Sequence, residues 1–181
     1  MKFSIKKFSE LTVNEMYVIL QLRSEVFVVE QDCVFQDLDN KDQIAYHVLG
    51  LKDDRIIAYA RIFDSEDYFL EPSIGRITVK KEFRKFKYGY QLVLNSIQFI
   101  ENNFKEKKIL ISAQAYLTKF YNSLGFIQVG ESYLEVSILT LIKRNVGNPT
   151  AAVIFLTCLN FPSVKVIEIQ LVGPCLSSLI F

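Results

Sequence analysis

The sequence predicts an α/β fold, a sheet with helices on both faces, over about its first 140 residues. Short runs rich in branched and aromatic side chains alternate with segments whose apolar residues recur at helical spacing. A chain of 181 residues that is 50% apolar and 23% charged can bury a sizeable core and is not intrinsically disordered. Its net charge of +1 supplies no long-range attraction to a polyanion, so neither nucleic acid nor a membrane surface is expected as a partner.

Residues 3–8, with Phe3, Ile5 and Phe8 among polar neighbours, predict an edge strand. Thr12 and Glu15 have the spacing of a capping box, and Leu11 and Met16 are placed to staple the first turn. Met16, Ile19, Leu20, Arg23 and Phe27 then follow at helical spacing, predicting a helix to about Val29. The acidic stretch from Asp32 to Asp42 has no period and reads as a loop. Residues 46–51 and 55–63 predict strands joined at Lys52-Asp53-Asp54, and residues 73–79 a third. Val93, Ile97, Ile100 and Phe104 mark an amphipathic helix that opens at Gly89. Residues 109–112 predict a buried strand. Leu117, Phe120, Tyr121 and Leu124 line one face of a short helix capped by Gly125. Strands at 126–129 and 133–139 complete the order β-α-β-β-β-α-β-α-β-β.

Cys33, Cys158 and Cys175 form neither a disulfide framework nor a metal-ligand pair, so a reduced, cytoplasmic setting without a metal is expected. The first residues, MKFSIKKFSELT, lack the apolar region of a signal peptide. Residues 1–140 carry 18 basic and 19 acidic side chains, whereas 141–181 carry only Lys143, Arg144, Lys165 and Glu168. Within that tail, Pro149, Asn160 and Pro162 leave an apolar run of about 12 residues, short of the roughly 20 that span a membrane. So apolar a tail must pack as added strands, pair with another chain in a homo-oligomer, or promote aggregation.

The segment richest in chemistry spans the end of the 73–79 run and the ten residues after it. A strand leads into a loop carrying Lys80, Lys81, Arg84, Lys85 and Lys87, and a helix then begins at Gly89. Free amides at a helix start bind phosphate groups, and glycine admits a close approach. A solvated charge run is the plainer alternative.

Arg84-Lys85-Phe86-Lys87-Tyr88-Gly89 resembles the pyrophosphate loop of the GNAT-type N-acetyltransferases, [QR]-x-x-G-x-[GA], except that Lys87 stands at the first glycine. If that position needs a positive φ, lysine costs about 1 kcal/mol or more there. The ElaA-like branch of that family is similar at residues 22–31, at Asp39-Asn40-Lys41-Asp42 and at Ala45-Tyr46-His47. The likeness continues at Ala58-Tyr59-Ala60-Arg61, Ile74-Gly75-Arg76, Ser112-Ala113-Gln114-Ala115 and Phe120-Tyr121-Asn122-Ser123-Leu124-Gly125-Phe126.

The resemblance implies a mixed, mostly antiparallel twisted sheet flanked by helices, and acetyl transfer from acetyl-CoA to a small-molecule or peptide amine by direct attack. It implies that Ile77, Thr78 and Val79 hold pantetheine through main-chain groups. Arg84, Lys85, Lys87, Tyr88, Gly89 and Tyr90 would hold the phosphates, Asn122 would touch the coenzyme, and Tyr121 would donate to the departing thiolate. His47, the only histidine, and Glu30 are candidates for the base, with a structural, hydrogen-bonded histidine and a surface carboxylate as the alternative readings. Gln31, Asp39, Asp42, Arg61 and Arg76 are candidates for substrate binding, with Asp39 and Asp42 alternatively shaping their loop and Arg61 or Arg76 alternatively paired to Glu30. Two other readings stay open: a coenzyme-binding sensor without turnover, and an interaction domain whose basic loop binds nothing. After Tyr133-Leu134-Glu135 the sequence departs from the family's ending, and inserting one base in the Val136 codon permits a return to it. The resemblance therefore divides the chain into a domain over 1–140 and an extension over 141–181 of frameshift character.

Overall fold

The computed structural model describes residues 1–129 and 138–143. The elements run in the expected order. β1 (Lys2–Lys7) precedes α1 (Val13–Arg23), and β2 (Tyr46–Lys52), β3 (Arg55–Phe63) and β4 (Ser73–Val79) come next. Then come α2 (Tyr88–Asn103), β5 (Ile109–Gln114), α3 (Thr118–Asn122), β6 (Phe126–Gln128) and β7 (Ile138–Lys143).

Thr12 caps α1 as its sequence predicts: its Oγ1 accepts from the Glu15 amide at 3.2 Å, and the Glu15 carboxylate accepts from the Thr12 amide at 2.8 Å. The helix was expected to continue to about Val29. It does so as a wider π turn over Ser24–Val29, with the Glu30 amide donating to the Glu25 carbonyl at 2.9 Å. The β2–β3 hairpin turns at Asp53 and Asp54, both left-handed (φ 50° and 57°), the geometry a two-residue hairpin requires.

Seven strands form one sheet in the order β1-β2-β3-β4-β5-β7-β6, and among the registered pairs only β4–β5 is parallel. Side-chain alternation divides its faces. Val48, Ala58, Ala60 and Ile62 pack with Leu92, Val93, Ile97 and Ile100 of α2, while Leu49 and Tyr59 pack with Ile19 and Leu22 of α1 and with Val26.

β7 pairs with β5 from Ile109↔Lys143 to Gln114↔Ile138 and runs past the domain boundary expected at residue 140. Of the strand expected at 133–139, residues 133–137 lie outside the described residues, as does the extension from 144 onward. Among the described residues no helix is long and apolar enough to cross a membrane.

Candidate active site

β4 and β5 register at one pair only, Ser73 with Leu110, at the start of both strands. Two features open the space beyond. First, β4 carries a bulge: between the pairs Tyr59↔Thr78 and Arg61↔Gly75, Arg76 and Ile77 together oppose Ala60. The extra residue is Arg76 in the left-handed region (φ 52°), a strained conformation for arginine of the kind that recurs at functional sites. Second, the π turn after α1 brings Phe27 and Gln31 to the same opening. The resulting cleft, about 170 Å³, has β4 residues 74–77 on one side and β5 residues 112–114 on the other. Phe27, Gln31, Phe35, Leu117 and Tyr121 complete its described walls.

Tyr121 is set in the cleft by α3, its ring 3% exposed and edge-on to Phe120 and Phe126 with centroids 5.0 and 5.8 Å away. Burial, with a contribution from Tyr116, pushes its phenol well above the ordinary 10, so it stays protonated. Asn122 is exposed, and with its carboxamide oriented to satisfy both ends, its nitrogen donates to the Phe126 and Thr118 carbonyls at 3.0 and 3.2 Å. It closes the α3–β6 turn.

The basic loop winds as a 3-10 helix over Lys81–Phe86, and Lys87 (φ 58°, ψ 27°) turns it into α2. Lys87 thus adopts the left-handed conformation that the glycine of the pattern would take at no cost. The next amides, of Tyr88, Gly89 and Tyr90, open the helix and have no intrahelical acceptor. Lys85 lies over the Phe86 ring at 5.2 Å. Arg84 is not an outward cation. It is buried, donates from Nε to the Val79 carbonyl at 2.8 Å, and pairs with Glu30 at 2.7 Å. Glu30 therefore joins the end of the first helix to this loop.

Most of the expected substrate and proton-transfer residues are engaged elsewhere. Arg23 donates to Asp37 at 2.6 Å and to Asp42 at 2.7 Å. Arg61 holds Asp39 through two bonds of 2.7 Å and Asp42 at 2.9 Å. Arg76 reaches Asp37 at 2.6 Å and Asp39 at 3.4 Å, so its partners are these aspartates and not Glu30. Three guanidinium groups and three carboxylates close on one another and pin the 32–42 loop to the sheet. Arg23 and Asp37 were not among the expected site residues, although Arg23 falls on the apolar stripe of its helix, an unusual place for a charge.

Of the two readings of His47, the geometry favours the structural one. The side chain is fully buried on the α1 face, with Nε2 2.9 Å from the Asp42 carbonyl and Nδ1 2.8 Å from the Tyr59 hydroxyl. A carbonyl only accepts, so Nε2 carries the proton and Nδ1 accepts from Tyr59. Burial, opposed by the bond to Asp42, lowers the His47 pKa. A folded-state pKa below the ordinary 6.5 makes its contribution present above that pH and lost as pH falls through it. Asp39 adds a second acid limb. Burial alone would raise its pKa, but hydrogen bonding and charge from Arg61, with Arg76, hold it at about 2 against the ordinary 3.8. Melting temperature should accordingly fall from pH 7 to 5 and again from pH 4 to 2. His47→Gln should flatten the first step alone, which melting curves across pH will check.

Known proteins are similar to this chain in sequence and in fold. The family model for the acetyltransferase (GNAT) domain matches residues 9–141. This chain belongs to the GNAT acetyltransferase family. Protein ElaA of Escherichia coli (strain K12) is 43% identical over 132 residues, which cover 72% of this chain and 86% of ElaA. The crystal structure of Escherichia coli ElaA aligns with a TM-score of 0.74 at 38% identity, covering 79% of this chain and 99% of that one. An acyl-CoA N-acyltransferase from Pseudomonas aeruginosa aligns equally well, at 0.74 and 33% identity over 78% and 98% of the two chains. In this GNAT chain Tyr121 and the main chain of residues 74–77 meet in the cleft. His47 and the Arg61–Asp42 pair are not among the residues that line it.

Proposed function

We propose that the protein transfers an acetyl group from acetyl-CoA to a primary amine by direct attack within a ternary complex. The observation that carries this reading is the buried Tyr121 lining a cleft whose β4 wall leads into the Lys87 loop. The residues fit the coenzyme. Thr78 Oγ1 is buried without a partner among the described residues, the first-turn amides of α2 have no intrahelical acceptor, and Lys85 and Lys87 flank the entry to that helix. Ile77, Thr78 and Val79 would hold the pantetheine arm, and the loop with Lys85, Lys87, Tyr88, Gly89 and Tyr90 the phosphates. Arg84 braces that loop from behind. When bound, acetyl-CoA supplies the thioester carbonyl that the amine attacks.

The remaining work falls to this chain. An alkylamine with a pKa near 10.4 is neutral at pH 7 in only about one molecule in a few thousand, a deficit of roughly 4–5 kcal/mol. The described walls of the cleft contain no carboxylate or imidazole. Desolvation by Phe27, Phe35 and Leu117, beside the Arg76 charge, therefore favours the neutral amine. Tyr121 donates a hydrogen bond to the sulfur as the C–S bond breaks.

Titration calorimetry with acetyl-CoA, followed by thiol release over an amine panel, tests the reading. Tight binding and amine-dependent thiol are expected. Binding without thiol would make the protein an acyl-CoA-binding sensor, and no binding would remove both. Lys87→Ala keeps the strained backbone and removes the charge. It should weaken acetyl-CoA binding severalfold at low salt, with the loss shrinking as ionic strength rises; calorimetry at two salt concentrations checks it.

A further inference from the structure

The described walls of the cleft carry a lopsided set of charges. Only Arg76 and Tyr121 among them can ionise, and neither is an acid at neutral pH. The nearby carboxylates have been drawn onto guanidinium groups: Glu30 onto Arg84, Asp37 onto Arg23 and Arg76, Asp39 onto Arg61 and Arg76. An acceptor bearing several ammonium groups would leave water for a site whose described walls hold a guanidinium and no carboxylate, which is costly.

Arg76 itself has capacity left. Its Nε and Nη2 are used by Asp37 and Asp39, whereas Nη1 has no hydrogen-bond partner among the described residues, and its side chain is 25% exposed. The bulge that gives it a left-handed backbone fixes it on the cleft wall, and the two aspartates fix its plane. A guanidinium held this way presents its open edge to a carboxylate with little entropy left to lose. Opposite it, Gln114 Nε2 approaches Gln31 Oε1 at 3.4 Å, which leaves the Gln114 carbonyl oxygen as an acceptor for an amine N–H. Phe27, Phe35 and Leu117 supply an apolar surface between.

We infer that the acceptor is a small amine carrying a carboxylate and an apolar side group, of which an apolar α-amino acid is the simplest member, with Arg76 as the residue that selects it. The inference rests on the acetyl-transfer reading above. In the step, the amine nitrogen forms a bond to the acetyl carbonyl carbon, the C–S bond breaks, and the proton lost by nitrogen balances the one taken up by the thiolate.

The test uses the full chain with acetyl-CoA and three acceptors: L-phenylalanine, L-phenylalaninamide and spermidine. Thiol release should give phenylalanine a kcat/KM at least tenfold above either of the others, expressed in KM. Arg76→Gln should bring the ratio of acid to amide near one, with Arg76→Lys retaining part of it. In parallel, calorimetry on the coenzyme A-loaded protein should show phenylalanine binding weakened at least tenfold by Arg76→Gln. Spermidine or the amide equalling phenylalanine in the unaltered protein would overturn the inference without recourse to any variant. Phenylalanine binding that ignores the substitution would overturn it as well. No thiol from any amine, with phenylalanine still bound through Arg76, would overturn the transfer reading and keep the amino-acid site; loss of both signals overturns both.

Discussion

Tyr121→Phe is expected to lower kcat at least tenfold while acetyl-CoA affinity stays within about twofold. The ring is buried against Phe120 and Phe126, and phenylalanine keeps those contacts, so the fold should tolerate the change. What is lost is one O–H at the cleft. A hydrogen bond to a charged acceptor is worth about 1.5–3 kcal/mol, which is tenfold or more in rate if the charge exists only as the thiolate departs. Because burial raises the phenol's pKa, Tyr121 should contribute no basic limb to the rate–pH profile in the neutral range. Steady-state kinetics beside calorimetry will separate the roles: an unchanged kcat would assign Tyr121 to packing alone.

The largest effect on stability should come from Arg23→Ala. Arg23 is fully buried and compensates Asp37 and Asp42 together. Removing it leaves Asp37 to Arg76 and Asp42 to Arg61, so three carboxylates of the cluster face two guanidinium groups, and losing one partner of a buried pair costs about 3–5 kcal/mol. Against a total stability of about 5–15 kcal/mol, the melting temperature should drop by on the order of 10 °C. Urea unfolding measures the loss directly. The double variant Arg23→Ala, Asp37→Ala should lose less than the sum of the two single changes, since the second substitution restores the balance of charge that the first upset. Additive losses would mean that the pair does not couple.

The order of elements was legible because it rests on local periodicity: every strand and helix within 1–129 has its apolar pattern in its own residues. The Lys87 conformation was legible too, since a glycine position in the family's loop flags a positive φ. The charge network was not. Its partners lie 14 to 39 residues apart in sequence, and a spacing rule that works within one helix says nothing about which aspartate a strand arginine will meet. Arg61 and Arg76 stood out as polar residues in apolar strands, and substrate contact was the natural reading of both. The fold gives Arg61 wholly to internal pairs and leaves Arg76 one free edge. His47 stayed open between two roles for a similar reason, because a titratable residue at a strand start can face either layer, and only the packed sheet shows that it faces α1. The π turn had no sequence signature, since the apolar spacing of a helix tolerates one wider turn.

The seating of the last described strand bears on how the protein is made. β6 joins the sheet only through β7, which is translated later, yet β7 occupies the slot between β6 and β5. On the ribosome, β5 must therefore wait with an unpaired edge until residues 138–143 have left the exit tunnel. At roughly 5–20 residues per second that interval is about one to several seconds. During it, the unpaired β5 edge is open to strands of neighbouring nascent chains. A truncation upstream of Ile138 would make that transient exposure permanent.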